Sequence, residues 1–523
     1  MPSTMKWSKR AKYFALLFAV MLLLSPAASA IDPENSLTLG IISTATQYVN
    51  PLAPVEREFR SLTALVYEGL IELDDDFQPQ PALCRSWDVS SGGGTWTFYL
   101  RDGVTFHDGT PLTAEDVVAT AKCIIDLPKT TVNGNQGAYS ALQYYVQDIS
   151  APDQNTVVVK TKRANYSFLY AMVFPILPKD KVQTENPPGT GPYKIDQFVP
   201  GDFISLSANE HWWRGMPAMQ HIMTIFHAAN RELVSSFEYN RVDAVITRSL
   251  NAAQYRSGVS SLNLSYRTPQ LETFLINNKA RELTDVRVRK AIRHAINIDD
   301  LLSTVYLDMA QRTDTPMMPG TWMYKDVGSF EFDPEKANRL LDQTEWKDSN
   351  DDGIRDTVID GNTANMSLRF IFYEEQDNSV RMMAATKIVS MLKEVGIEAR
   401  IDMLPFEECA SRLKAGSYDI ALAAFNMDSA PDPGFLLMTN NTGNYARYSS
   451  KEMDDLFTTL RGAVKKDDYK AALDSIQTRF VEDCPFICLY YRKGALLTRK
   501  MFTGVRDLRE PEVLRGIAQG ISH

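Results

Sequence analysis

Hydrophobic positions in the second half of the chain alternate between strand-like and helix-like spacing. Ser367–Tyr373 and Ile397–Met403 have strand patterns, and Tyr418–Phe425 is an apolar run of strand length. Between the first two, residues 380–395 carry apolar side chains at helical spacing, and a short helix is predicted before the third. The order strand–helix–strand–helix–strand is typical of a parallel sheet covered by helices.

The first half shows similar elements with clear boundaries. Thr95–Phe106 alternates like a half-buried strand, with a turn at Asp102-Gly103. Thr113 is followed by acidic residues and an apolar helical pattern, which predicts a capped helix to Ile125. Thr284 and Asp285 can cap another helix that reaches Ile296. The chain is therefore predicted to be an α/β protein.

Two loops are the natural places for a ligand. In open α/β sheets, ligands bind beyond the carboxyl ends of the strands. Residues 374–381 follow one predicted strand, and residues 426–435 follow another. The second loop is rich in Pro, Asp and Gly and cannot form regular structure.

The first thirty residues have the pattern of a secretory signal. Basic residues from Lys6 to Lys12 precede the apolar run Tyr13–Leu24, and Ala28–Ala30 offers a cleavage pattern of small residues. The run is shorter than the roughly 20 residues that a membrane helix needs. We expect export, cleavage and a soluble mature chain that begins near Ile31.

Composition limits the possible partners. The formal net charge is −10, and the predicted signal contributes four positive charges and no negative ones, which leaves about −14 for the mature chain. This acidity disfavours nucleic acid and anionic lipid as partners. The five cysteines cannot all pair, and Cys484 and Cys488 would lie about 13 Å apart in a strand, so we expect free thiols.

The sequence offers no catalytic constellation. It lacks the zinc-helix, nucleophile-elbow, phosphate-loop and dinucleotide motifs, and its six histidines have no convincing ligand spacing. We expect neither an enzyme nor a cofactor, and keep a secreted hydrolase as a remote alternative.

One acidic loop resembles the start of a calcium site. Its oxygen-bearing candidates are Asp348, Asn350 and Asp352, which alternate before Gly353, and Asp356, which follows that glycine. The twelfth position holds Ile359 in place of the bidentate Glu of such loops. A solvated turn is the favoured interpretation, and any bound calcium would be structural.

Several segments carry a resemblance to a known family. Leu100–Val117, within Ala82–Thr120, is similar to the signature of extracellular solute-binding protein family 5, the peptide and nickel receptors of ABC transporters. Further matches follow in family order: Gly189–Tyr193, Asn209–Pro217, Asn277–Leu302 and Arg447–Phe457. The signature itself is expected to be structural, with Trp96, Phe98 and Phe106 in the core.

The resemblance implies a two-lobe periplasmic binding protein fold, type II-like, with an extra subdomain in the first lobe and a ligand cleft between the lobes. The first lobe would comprise residues 31–271 and 500–523, with the subdomain at about 75–185, and the second lobe residues 272–499. The implied function is capture of a short peptide and its delivery to the membrane subunits of an ABC permease, by a periplasmic monomer. A nickel chelate, an opine or an oligosaccharide is the alternative ligand.

The resemblance also implies site residues. Asp428 aligns with the aspartate that binds the peptide's α-ammonium group, although Ala424 and Phe425 replace the usual Gly and Trp; Asp432 is a rival. Arg381, in the first turn of a helix, would bind the peptide's carboxylate, or would pair with a local carboxylate: Glu374, Glu375 or Asp377. Phe425, Asn426 and Tyr373 complete the predicted ligand-binding set.

Overall fold

The computed structural model describes residues 35–53, 56–127, 139–258, 260–328, 330–375, 379–502, 508–514, 516–519 and 521–522. The predicted signal sequence lies outside the described residues. Strands of the first half are β1 (Ser36–Ile42), β2 (Ile71–Leu73), β3 (Pro79–Pro81), β4 (Cys84–Val89), β5 (Thr95–Leu100), β6 (Val146–Asp153), β7 (Thr156–Thr161), β8 (Tyr193–Val199), β9 (Phe203–Ala208), β10 (His221–His227) and β11 (Ala244–Thr247).

Strands of the second half are β12 (Leu262–Ile276), β13 (Ala310–Arg312), β14 (Asp356–Ile359), β15 (Asn362–Asn365), β16 (Ser367–Tyr373), β17 (Glu398–Leu404), β18 (Ile420–Asn426), β19 (Phe486–Thr498), β20 (Met501–Phe502) and β21 (Ile521–Ser522). Helices before residue 280 are α1 (Arg60–Val66), α2 (Ala114–Asp126), α3 (Ala141–Tyr145), α4 (Phe168–Ala171) and α5 (Asn230–Glu238). Those after it are α6 (Val286–Ala295), α7 (Ile298–Thr304), α8 (Pro334–Leu341), α9 (Val380–Lys393), α10 (Phe406–Ala415), α11 (Gly434–Leu437), α12 (Lys451–Gly462) and α13 (Lys466–Asp483). Short 3-10 helices lie at Leu250–Gln254, Arg281–Leu283 and Ile517–Gln519.

One 11-stranded sheet runs through the molecule. Its order is β17-β16-β18-β12-β19-β11-β1-β10-β9-β8, and β13 pairs with β19. The predicted parallel arrangement is present where β16 pairs with both β17 and β18. The sheet as a whole is mixed, because β12 joins β18 in the antiparallel sense.

The two long strands β12 and β19 connect the halves of this sheet. They pair with each other from Leu262↔Thr498 to Leu275↔Phe486, with a register shift between Arg267 and Leu271. Pro269 lies in that irregular stretch, where it cannot donate a ladder hydrogen bond. The predicted boundary at residues 271/272 falls inside β12, and it stays a prediction.

Separate hydrophobic clusters cover the two halves of the sheet and a smaller sheet. The smaller sheet, β4-β5-β7-β6, packs α2 and forms a core of its own. Trp96, Phe98 and Phe106 are buried in this core, as predicted for the signature segment. Thr113 caps α2 through a capping box with Asp116.

Cysteine chemistry follows the prediction: all five thiols are free. Cys488 lies in β19, but Cys484 ends α13 with a positive φ of 44° and is not in the strand. Two-stranded ribbons complete the fold, pairing β2 with β3, β14 with β15 and β20 with β21.

Candidate functional site

The carboxyl ends of β16 and β18 lie side by side at one edge of the sheet. Phe370 pairs with Ile420 in the parallel ladder, so Tyr373 and Asn426 end neighbouring strands. Met427 N–H then donates to the carbonyl oxygen of Pro269 at 2.8 Å, which fixes the following loop to β12. The two predicted loops therefore open at the same edge, next to the crossing strands.

Phe425 and Asn426 have different environments at this edge. Phe425 is buried, stacks on Tyr445 with ring centroids 6.0 Å apart, and meets Phe435 edge-on at 6.2 Å. Asn426 is exposed and lies opposite Gln270 in the ladder. Phe425 thus packs against the aromatic residues beside the loop at residues 426–435, while Asn426 is exposed to solvent.

Asp428 carries a carboxylate without a compensating cation in the described part of the chain. The carboxylate accepts a long hydrogen bond from Ala430 N–H at 3.5 Å. The side chain is exposed to solvent yet has protein on several sides, and partial desolvation, with Asp432 adding to it, raises its pKa. A solvent-accessible carboxylate that no cation of the described residues compensates is suited to binding a cation from outside.

Asp432, the rival aspartate, is committed to the fold. Its carboxylate binds the guanidinium of Arg461 at 2.8 Å and 3.2 Å and accepts Gly434 N–H at 2.8 Å. This arrangement joins the loop to the end of α12, so the Asp432 carboxylate has a structural role.

Arg381 is buried in an ion-pair cluster. Its Nη2 lies 2.9 Å from both carboxylate oxygens of Glu272, and its Nε donates to Glu375 at 3.0 Å. Burial opposes the charge of the guanidinium, but Glu272 and the other acidic neighbours outweigh it and raise the pKa. Two carboxylates therefore already compensate this cation, and its ligand role stays a prediction.

Tyr373 belongs to the same cluster. Its ring lies under the Arg381 guanidinium at 4.2 Å, and its hydroxyl accepts from Nη2 at 2.9 Å. The local pairing that the sequence suggested is present with Glu375. Asp377 lies outside the described residues.

The second carboxylate, Glu272, was missed by the sequence reasoning. It lies on β12, and the side chains of Glu272 and Arg381 are each only 5% exposed. From Glu272 a polar chain continues through Gln270 (2.8 Å) to Arg248 (2.8 Å), which forms an ion pair with Glu510. A charged residue inside the apolar stretch LETFLI was the available signal, because a buried charge requires a partner.

Aromatic residues missed by the sequence reasoning join the two predicted lobes. Trp322 Nε1 donates to the Tyr170 hydroxyl at 3.1 Å and to the Phe77 carbonyl at 3.3 Å. Tyr166 meets Trp322 at 5.9 Å and Tyr469 at 5.6 Å between ring centroids. Phe77, Tyr166 and Tyr170 precede β12 in the chain, whereas Trp322 and Tyr469 follow it.

The acidic loop before β14 uses its oxygens within its own turn. Asp348 accepts from the N–H groups of Asp352 and Gly353, and Asn350 accepts from that of Asp352. Asp356 is buried and binds Ser349. Over the described ranges, no group of three or more His, Cys, Asp or Glu side chains could hold a metal ion. Calcium binding stays a prediction.

Comparison with known proteins identifies the family to which this fold belongs. Residues 78–447 match the family described as bacterial extracellular solute-binding proteins, family 5 Middle. The chain belongs to this family. Oligopeptide-binding protein AppA from Bacillus subtilis is 24% identical over 495 residues, covering 89% of this chain and 88% of its relative.

Solved structures of the family share the fold. AppA in complex with a nonapeptide superposes with a TM-score of 0.67 at 21% identity, covering 93% of this chain and 99% of that one. NikA from Brucella suis in complex with Fe(III)-EDTA gives a TM-score of 0.77 at 19% identity, covering 94% and 100%. The chain therefore has the two-lobe fold of periplasmic binding proteins, as its sequence predicted.

The family segments outside the cleft serve the fold. Glu68 accepts hydrogen bonds from Trp212 Nε1 (3.2 Å), Trp213 Nε1 (3.1 Å) and Thr190 Oγ1 (2.9 Å). Gly189 approaches the carbonyl oxygen of Val66 so closely that a Cβ would lie 1.9 Å from it. These contacts fasten the matched segments together around α1. No helix within the described ranges is long and apolar enough to cross a membrane.

Proposed function

We propose that this protein is the periplasmic substrate-binding protein of an ABC importer, and that it captures short peptides in the cleft between its lobes. The first lobe comprises residues 31–271 and 500–523, with its subdomain at about 75–185, and the second comprises residues 272–499. A signal over residues 1–30 directs export. The protein acts as a monomer that delivers its ligand to the permease and catalyses no reaction.

The observation that carries the peptide assignment is the Asp428 carboxylate. It lies at the carboxyl end of β18, open to solvent, with no cation paired to it among the described residues. An α-ammonium group there would form a charge-assisted hydrogen bond in a partly desolvated setting. The names of relatives support a peptide ligand: AppA is an oligopeptide-binding protein, and DdpA of Escherichia coli is a probable D,D-dipeptide-binding protein.

Closure of the lobes is part of the proposed function. The contacts of Trp322 with Phe77 and Tyr170 hold the lobes together on one side of the cleft. Hinge closure around a ligand excludes water, which strengthens each polar contact to it.

The test uses peptide libraries of two to five residues, one with free amino termini and one N-acetylated. Native mass spectrometry measures which peptides the purified protein retains. The wild type is expected to retain free-amine peptides only, and Asp428→Asn is expected to weaken retention by about 30-fold or more. Asp455→Asn, an exposed aspartate on α12, is the matched control.

Equal retention of acetylated and free peptides, or an Asp428→Asn variant that binds like the control, would refute the amine anchor. Retention of a nickel chelate, an opine or an oligosaccharide from the purified protein, with no peptide bound, would favour the alternative ligand class. Cleaved peptides in the mixture would favour a hydrolase.

A further inference from the structure

A peptide bound by its ammonium group at Asp428 brings a second charge that needs a partner. The predicted partner, Arg381, is buried between Glu272 and Glu375, so its charge is already compensated. A carboxylate placed there would face two acidic groups as well as the guanidinium. The cation for the other end of the ligand must therefore come from elsewhere.

A cavity of about 370 Å³ lies between the subdomain of the first lobe and α12 of the second. Its lining residues are Gln143, Tyr144, Tyr145, Lys162, Arg163, Asn165 and Arg461. The lobes touch directly beside it, where Tyr166 N–H donates to the carbonyl oxygen of Ala463 at 2.8 Å. Its volume suits the terminal residue or one side chain of a peptide.

The cavity has an excess of positive charge. Arg461 is paired with Asp432, and Lys162 donates to the carbonyl oxygen of Gln143 at 2.7 Å without a carboxylate partner among the described residues. Arg163 is exposed and has neither a hydrogen bond nor an ion pair within the described ranges. Two of the three cations are thus electrostatically uncompensated.

The cavity lies close to the proposed ammonium site. Tyr145, one of its walls, is hydrogen-bonded to Ser167 at 2.7 Å, and its pKa is raised by burial and further by the charges of Asp432 and Asp428. Arg461, another lining residue, binds Asp432, which lies in the same loop as Asp428, so this loop lies beside the cavity. The negative site is on the second lobe, and Lys162 and Arg163 are on the first.

We propose that this cavity binds a carboxylate of the ligand, with Arg163 and Lys162 as its partners. The inference rests on the proposed function and specifies its substrate class: peptides whose ammonium group is held by Asp428 and whose carboxylate reaches the subdomain. Such a ligand binds one lobe through its ammonium group and the other through its carboxylate. Recognition of a zwitterion is therefore coupled to closure of the lobes.

The carboxylate is either the C-terminus or an acidic side chain, and three synthetic libraries distinguish them. All have free amino termini and neutral residues: the first ends in a free acid, the second in an amide, and the third in an amide with one internal Glu. Retention is measured by native mass spectrometry on the full-length mature protein. The wild type is expected to prefer the first or the third library over the second by about tenfold.

Lys162→Gln/Arg163→Gln is expected to abolish this preference while keeping the fold, because both side chains are exposed. Lys160→Gln, an exposed cation on β7 outside the cavity lining, is the matched control and should keep the preference. Equal retention of all three libraries by the wild type, or an unchanged preference in the double variant, would overturn the proposal.

The two hypotheses fail in different ways. An Asp428→Asn variant that retains all libraries unchanged would refute the ammonium anchor, whatever the preference between acid and amide. If Asp428→Asn loses binding but the double variant keeps the preference for a carboxylate-bearing library, the peptide function stands and only the carboxylate site is overturned. A wild type that retains no library would overturn both.

Discussion

Raising the pH from 5 to 8 should destabilise the protein through Glu68. Its carboxylate is enclosed by two indoles and Thr190, and burial raises its pKa from 4.5 to about 7. Between these values the folded state keeps a proton that the unfolded state has released, so stability falls as pH rises. The full difference corresponds to about 3 kcal/mol, and the partial exposure of Glu68 reduces it to about 1–2 kcal/mol.

The assay is urea unfolding at a series of pH values, followed by indole fluorescence. Glu68→Gln keeps a neutral acceptor for the indole N–H groups and cannot ionise, so its unfolding free energy should depend less on pH. Glu72→Gln is the matched control, because Glu72 is a nearby, half-exposed carboxylate paired with Arg214. Two results would refute the reasoning. One is a Glu68→Gln variant whose stability depends on pH as that of the wild type does. The other is a wild type whose stability rises toward pH 8.

Two further substitutions test the cluster at β12 and the contact between the lobes. Glu272→Gln should lower the free energy of unfolding by about 2–4 kcal/mol, because it leaves the buried Arg381 with Glu375 as its remaining carboxylate; urea unfolding measures it. Trp322→Ala removes the contact with Phe77 and should increase the radius of gyration of the ligand-free protein in small-angle X-ray scattering.

Each of these has its own control. Glu398→Gln changes a half-exposed carboxylate on β17 and should leave stability within about 0.5 kcal/mol of the wild type. Trp87→Ala removes an indole that packs on Phe98 inside the subdomain, away from the second lobe, and should not change the radius of gyration. A compact Trp322→Ala variant, or a Glu272→Gln variant as stable as Glu398→Gln, would contradict the predicted roles.

Sequence reasoning predicted local elements well and long-range partners poorly. The strand Ser367–Tyr373 is as predicted, and α9 and β17 begin within one residue of the predicted positions, because hydrophobic spacing is a local signal. The antiparallel neighbour of β18 could not be predicted, since β12 lies about 150 residues earlier. Hydrophobic pattern alone does not identify which strand will pair across such a distance.

In the candidate site, too, local contacts could be predicted and long-range contacts could not. Local charge around Arg381 indicated Glu375, which is present, but Glu272 is 109 residues away and was not considered. The family resemblance led to Asp428, whose environment now distinguishes it from Asp432. The cationic cavity was not predicted, because Arg163 and Arg461, about 300 residues apart in the chain, come together only in the folded structure.

The position of β19 in the sheet has a consequence for how the protein is made. This strand lies between β12 and β11, so without it the large sheet would be two separate pieces. It is also among the last strands to be synthesised, at residues Phe486–Thr498. The large sheet therefore cannot be completed until nearly the whole chain has been synthesised.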